Sequence, residues 1–255
     1  MVSLCEKRSE NAWVPYFLKH NNDINNNNED IVRAIRGNIV RAIRGVLNKL
    51  ATKKFDALVQ DLTEIDLWCD KETFIEMISV IFEQAMQSPL YGSLYADLCL
   101  KIQQNENDLN KAETWFHRGL VRKIQTLVEA VNEDSNTEIE NEDLLRKMKK
   151  KRDLIGLIRF ISQLFRVNLI NFKILENCLV TYVRAYERTK KELFLESAIL
   201  LLYNAGPFIR DSDGRAKFDG YSSYCEKYRA VVCKRINFMI DDLVNLRESN
   251  WGQNV

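Results

Sequence analysis

The stretch Glu29-Asp-Ile-Val-Arg-Ala-Ile-Arg-Gly-Asn-Ile-Val-Arg-Ala-Ile-Arg-Gly-Val-Leu-Asn-Lys-Leu50 decides the fold class of this chain. Its apolar residues fall at Val32, Ile35, Ile39, Ile43, Val46/Leu47 and Leu50. A spacing of three to four residues puts them on one face of an α-helix. The segment Ile31–Gly37 is repeated at Ile39–Gly45. A period of eight nearly keeps the helical face, so the duplication lengthens the helix rather than adding a fold. Each glycine costs that helix about 1 kcal/mol relative to alanine.

The same periodicity runs outward to the C-terminus. After a break at Thr52 a second helix is expected over Phe55, Leu58, Val59, Leu62 and Ile65. Further helices are expected over Phe74–Met86, Leu90–Gln103, Leu109–Val131, Leu144–Val167, Phe172–Tyr186 and Leu193–Asn204. Ser88-Pro89 ends the first of these, because proline cannot continue a helix. The break Ala205-Gly206-Pro207 and a polar loop over Asp211–Gly220 precede a last helix, Tyr221–Leu246. About ten helices in antiparallel pairs of roughly 40 residues match the period of HEAT-type repeats. The expected fold is therefore all-α, an α-α superhelix (HEAT-like solenoid) of about five antiparallel helix pairs, with long helical edges open to partners.

Toward the N-terminus the pattern stops. Residues 1–28 hold Pro15 and an asparagine-rich tract, Asn21–Asn28, which disfavours helix and builds no core. They read as a flexible leader ahead of a repeat body over residues 29–252. One apolar island interrupts the leader, Ala12-Trp13-Val-Pro15-Tyr-Phe-Leu18, and such clusters usually dock on something.

Composition agrees with a folded helical body. The chain has 255 residues, 46% hydrophobic and 29% charged, so it is neither a disordered tail nor a membrane protein. The formal net charge of +1 excludes a polybasic protein while leaving room for local patches. Nine glycines and three prolines are too few for a β-sandwich or a Rossmann fold. The six cysteines form no C-x-x-C and no zinc-finger spacing with histidine. Most lie in apolar helical runs and read as small buried hydrophobes in a reducing compartment. With neither a signal-peptide core nor an apolar run of about 18 residues, a cytoplasmic location is expected.

No catalytic motif emerges. There is no P-loop, no G-x-G-x-x-G, no H-E-x-x-H and no G-x-S-x-G, so no enzyme, cofactor or metal is expected. Asp211-Ser-Asp213-Gly hints at a calcium loop but lacks the later glycine and glutamate. His117, beside Trp115-Phe116, reads as structural. The basic run Arg146, Lys147, Lys149, Lys150, Lys151 and Arg152 follows an acidic segment, Glu133–Asp143. Two readings stand: a solvated helix start paired with that segment, or a contact with RNA phosphates.

Five segments carry more than periodicity. Arg44-Gly-Val-Leu-Asn-Lys-Leu50-Ala-Thr-Lys-Lys-Phe55 resembles the Arg-x-Ile-Leu-Asn-Lys-Leu-Thr-Pro-x-x-Phe that opens the middle domain of eukaryotic translation initiation factor 4 gamma. Ile81–Ala85 with Tyr95–Cys99, Leu157–Phe165, Lys234–Trp251 and Ala12-Trp13-Val-Pro15 are similar to later and flanking elements of that family, in order. The resemblance covers roughly residues 11–252. It implies a crescent that binds the DEAD-box RNA helicase of initiation, factor 4A, holding its two lobes half-closed without contributing catalytic groups. By the same resemblance Trp13, Arg44, Leu47, Leu50, Phe55 and Phe238 would contact the helicase, and the basic run Arg146–Arg152 would contact mRNA.

Periodicity alone reads Phe55 and Phe238, and at least one of Leu47 and Leu50, as core. The family's Thr-Pro is here Ala51-Thr52. No accessible Tyr-x-x-x-x-Leu-hydrophobic motif is present, Tyr95 with Leu100 being followed by Lys101, so the cap-binding protein is not expected to bind. A related middle-domain adaptor of nonsense-mediated decay or splicing, bound to another DEAD-box helicase, is the alternative. A helical RNA-binding protein acting without a helicase is a third reading.

Overall fold

Leu154, Leu157, Ile158, Ile161 and Leu164 recur at helical spacing, and all five are buried on α4 (Leu144–Arg166). The computed structural model describes residues 37, 38, 40–45, 47, 55, 59, 60, 71–108, 115–134 and 144–252. Regular structure among the described residues is entirely helical. The other helices are α1 (Lys71–Gln87), α2 (Gly92–Asp108), α3 (Trp115–Asp134), α5 (Phe172–Thr189), α6 (Glu192–Ala205), α7 (Ser212–Glu226) and α8 (Lys234–Glu248). Residues 37, 38, 40–45 and 47 are also helical. The expected leader, Trp13 and Leu50 lie outside the described residues. Among the described residues no helix is long and apolar enough to cross a membrane.

The chain divides into two compact units, with the boundary between Val80 and Ile81 inside α1. The first buries Ile43, Leu47, Phe74, Met77 and Ile78. The second is built on next-but-one packing. Within it α2 packs on α4, α4 on α6 and α6 on α8, while α3 packs on α5. Sequential partners close the gaps: α2 with α3, α4 with α5, α5 with α6 and α7 with α8. The next-but-one packing of α2 on α4, α3 on α5, α4 on α6 and α6 on α8 makes two layers of helices within the second unit, the arrangement of a HEAT-like α-α superhelix. The helix α6 touches α4, α5, α7 and α8, and nine of its side chains are buried.

Two close approaches fix the packing. A Cβ on Gly156 of α4 would stand 2.3 Å from the Met86 carbonyl oxygen on α1, so the two backbones meet there. Phe82 and Phe160 stack edge to face beside that crossing, centroids 5.0 Å apart. At the far end Gly206 lies under the buried Trp251 ring, where a Cβ would fall 2.1 Å from the indole. Trp251 donates from Nε1 to Asp219 at 3.0 Å and meets Phe218 edge-on. Asn250, Trp251 and Gly252 all have positive φ, an uncommon run held by burial of the indole.

The C-terminal helices differ from the sequence expectation. The supposed loop Asp211–Gly220 is the first part of α7, and the supposed helix Tyr221–Leu246 is interrupted between Glu226 and Lys234. Asp211 explains the first difference. Its carboxylate accepts from the Gly214 N–H at 2.6 Å, capping α7. The helix then proceeds with Phe218, Ser222 and Cys225 buried at helical spacing. The Asp-Ser-Asp-Gly signature is thus an N-cap. Asn171 caps α5 in the same way, accepting from Ile174.

Candidate partner-binding surface

Phe194, Leu195, Ala198 and Ile199 make the start of α6 apolar, yet Glu196 sits among them with its side chain only 5% exposed. It is buried because two cations meet it from neighbouring helices. Arg235 of α8 donates from both terminal nitrogens, at 2.5 and 2.7 Å, in a fork matched to the carboxylate. Lys151 of α4 stands 3.0 Å from the second oxygen. Burial alone would raise the Glu196 carboxyl, but the Arg235 fork and the Lys151 ammonium outweigh it and hold the group below the usual glutamate range. Glu192, one turn earlier, accepts from the Cys233 N–H at 2.6 Å, closing the start of α8. Hydrogen bonding from Cys233, by its thiol first and its N–H second, holds Glu192 low as well. These contacts bring the starts of α6 and α8 together and set the third turn of α4 beside them, and with Gly206 meeting Trp251 at their other ends α6 and α8 run parallel.

The basic run lies at this end. Residues 144–150 are exposed, and burial on α4 begins at Leu154. Arg146, Lys147, Lys149, Lys150 and Arg152 are therefore at the surface, whereas Lys151 is engaged by Glu196. Arg152 lies 3.8 Å from Asp153. Leu144, Leu145 and Met148 are exposed between the cations, so the first two turns of α4 are both basic and apolar.

Phe238 occupies the next turn of α8 after Arg235 and is 68% exposed. The buried stripe of α8 runs through Ile236, Ile240 and Leu243, and Phe238 falls off it. Periodicity had favoured core packing for this ring, and the structure contradicts that reading. Val231, before α8, is also exposed.

The remaining site residues lie in the first unit. Arg44 is exposed, Phe55 is half-buried, and Leu47 is 1% exposed, as a core residue is. Trp13 and Leu50 lie outside the described residues. Tyr95, of the incomplete cap-binding motif, is buried on α2. His117 is structural, its Nε2 lying 3.1 Å from the Leu169 carbonyl and tying α3 to the α4–α5 turn. Cys99, Cys178 and Cys225 are buried thiols, and burial pushes Cys178 and Cys225 up to about 12. Cys233 departs from the expectation, being exposed.

Sequence reasoning missed Glu196 and Arg235. The available signal was a carboxylate in the most apolar helix among the described residues, since a buried charge requires a partner. Nothing in the spacing named a residue 39 positions away as that partner.

Comparison with known proteins adds to this geometry. The pattern described as "MIF4G domain" matches residues 40–250. The chain is similar to human eukaryotic translation initiation factor 4 gamma 2, 30% identical over 242 residues, covering 84% of this chain and 26% of that protein. It is also similar to mouse eukaryotic translation initiation factor 4 gamma 1, 26% identical over 269 residues, covering 96% of this chain and 16% of that protein. The chain thus spans about a quarter or less of the curated relatives it matches. Among solved structures it resembles the MIF4G domain of Trypanosoma cruzi translation initiation factor EIF4G5, with a TM-score of 0.61. That likeness, at 17% identity, covers 84% of this chain and 97% of the other, and shows a shared all-α fold.

Proposed function

The chain belongs to the MIF4G domain family, and from that premise we propose that it is a non-catalytic translation-initiation scaffold that binds and activates the DEAD-box helicase factor 4A and contacts mRNA in the cytoplasm. The observation that carries this reading is the match over residues 40–250, together with relatives that are initiation factors. The exposure of Phe238 on α8 supports a contact through that ring. The exposed basic turns of α4 support the RNA contact.

In this reading the scaffold works by population shift. A surface that fits one arrangement of two helicase lobes better than others favours it by its differential affinity, and no catalytic group is required. The test is the steady-state ATPase rate of factor 4A with RNA, with and without this chain. A saturable several-fold rise supports the scaffold. No binding and no rise would move the chain to an adaptor of RNA processing, and pull-downs with the competing helicases would identify which.

Two substitutions divide the surface. Phe238→Ala removes an exposed ring and leaves the Ile236–Ile240–Leu243 stripe intact. Its circular dichroism should match the parent, while helicase affinity measured by calorimetry falls by about tenfold or more, as for an aromatic anchor. Unchanged affinity would remove Phe238 from the contact. Lys147→Gln with Lys149→Gln should weaken RNA binding and flatten its dependence on salt, by about 0.7 in the log–log slope per lost phosphate contact. An unchanged slope, measured by fluorescence anisotropy at several salt concentrations, would take the basic run out of RNA binding. Leu47 is a poor test of the interface, because its burial means that a polar substitution acts on folding first.

A further inference from the structure

The start of α8 has no side-chain cap of its own. Cys233 occupies the N-cap position, and its side chain makes no capping hydrogen bond. A helix start leaves N–H groups without intrahelical partners, and its dipole favours a carboxylate there. Here the carboxylate comes from another helix. Glu192, in the first turn of α6, accepts from the Cys233 N–H at 2.6 Å across 41 residues of chain. One turn further along α6, Glu196 takes the Arg235 fork. Two carboxylates four residues apart on one helix repel each other. The start of α8 supplies a donor to each, so the pair grips it as a clasp.

The rest of α8 is lightly held. It packs on α6 and α7 and buries Ile236, Ile240 and Leu243, against nine buried residues on α6. Its far end is pinned separately by Trp251 on Asp219. Phe238 stands at the clasped end, one turn after Arg235, on the side of the helix turned away from the buried stripe. Its ring is exposed, so its placement is set by the backbone of that turn and not by packing of the ring. We propose that Glu192 is a positioning residue for the helicase contact: by holding the start of α8 it fixes where Phe238 is presented. This role rests on the reading that Phe238 contacts factor 4A.

The test pairs fluorine NMR of the full chain with a binding measurement. With para-fluorophenylalanine incorporated, Phe238 and Phe218 are assigned by loss of their signals in Phe238→Leu and Phe218→Leu. In Glu192→Ala the Phe238 signal should move or broaden, while that of Phe218, at the Trp251 end, stays in place. Calorimetry against factor 4A should show Glu192→Ala weakening binding several-fold, with no further loss when it is added to Phe238→Ala. Glu192→Gln, whose amide oxygen still accepts from the Cys233 N–H, should recover most of that loss. Cys233→Pro deletes the same hydrogen bond from the other side, at a φ of −67° that proline adopts, and should match Glu192→Ala. A Phe238 signal unmoved by Glu192→Ala, or a loss of affinity equally large without Phe238, would overturn the positioning role and leave the Phe238 contact standing. Unchanged affinity in Phe238→Ala would instead overturn that contact, and the role of Glu192 with it.

Discussion

Replacing Gly156 with valine is expected to lower the thermal midpoint of this protein by about 6–12 °C. The cause is geometric. A Cβ at this position meets the backbone of Met86: its carbonyl oxygen at 2.3 Å, its Cα at 2.8 Å and its carbonyl carbon at 2.9 Å. Backbone cannot rotate aside as a flexible side chain does, so α4 must separate from α1. That separation also opens the Phe82–Phe160 contact. Overpacking of this kind costs about 3 kcal/mol or more, and each kcal/mol moves the midpoint of a domain this size by about 2–4 °C. Gly220→Ala is the control. Gly220 is exposed on α7 with nothing within 4 Å of its Cβ direction. There the ordinary helix preference for alanine should raise stability by up to about 1 kcal/mol. Differential scanning calorimetry of both variants checks the pair. A Gly156→Val midpoint equal to the parent would mean that the α1–α4 crossing is looser than described.

The second large effect is expected at Glu196. Glu196→Ala leaves Arg235 and Lys151 without their shared carboxylate and should cost about 2–3 kcal/mol. The figure lies below that for a fully buried pair because both cations are partly exposed, at 41% and 51% of their side chains. The same group gives a pH dependence with a definite sign. Its folded-state pKa is depressed, so it binds a proton less readily folded than unfolded. Its stabilisation is therefore fully present above the unfolded glutamate value, about 4.3, and is lost as pH falls through the lower folded value. Urea midpoints measured from pH 7 to pH 3 should fall steeply below about pH 5 in the parent and less steeply in Glu196→Gln. Parallel curves would show that other carboxylates carry the acid lability.

How much of this was legible beforehand depends on what kind of signal each residue carries. The apolar spacing of Leu154, Leu157, Ile161 and Leu164 is a local signal of large amplitude, and it located α4 within a residue or so at each end. Asp211-Ser-Asp213-Gly misled because turns and helix starts draw on the same residues: both want a short side-chain oxygen near exposed N–H groups. The interruption before Lys234 was hidden because Tyr228 and Val231 continue the apolar rhythm that a helix would show. Phe238 looked like core for a similar reason. Periodicity reports that a residue is apolar, not which of two adjacent faces its helix buries, and that choice is made by packing on α6. The contact between Glu196 and Arg235 was beyond any window of the sequence, since two chain reversals separate them.

The parallel run of α6 and α8 has an electrical consequence. Each helix carries the equivalent of about half a positive charge at its start, from N–H groups that no preceding turn satisfies. The starts of α6 and α8 lie side by side and sum their fields there, beside the basic turns of α4. Glu192 answers part of this field by accepting from Cys233, and Glu196 answers part of the side-chain charge. The remainder belongs to the backbone. An anion drawn toward this end would therefore still feel a pull after every lysine of the run was neutralised, and that residual attraction would be insensitive to side-chain substitution.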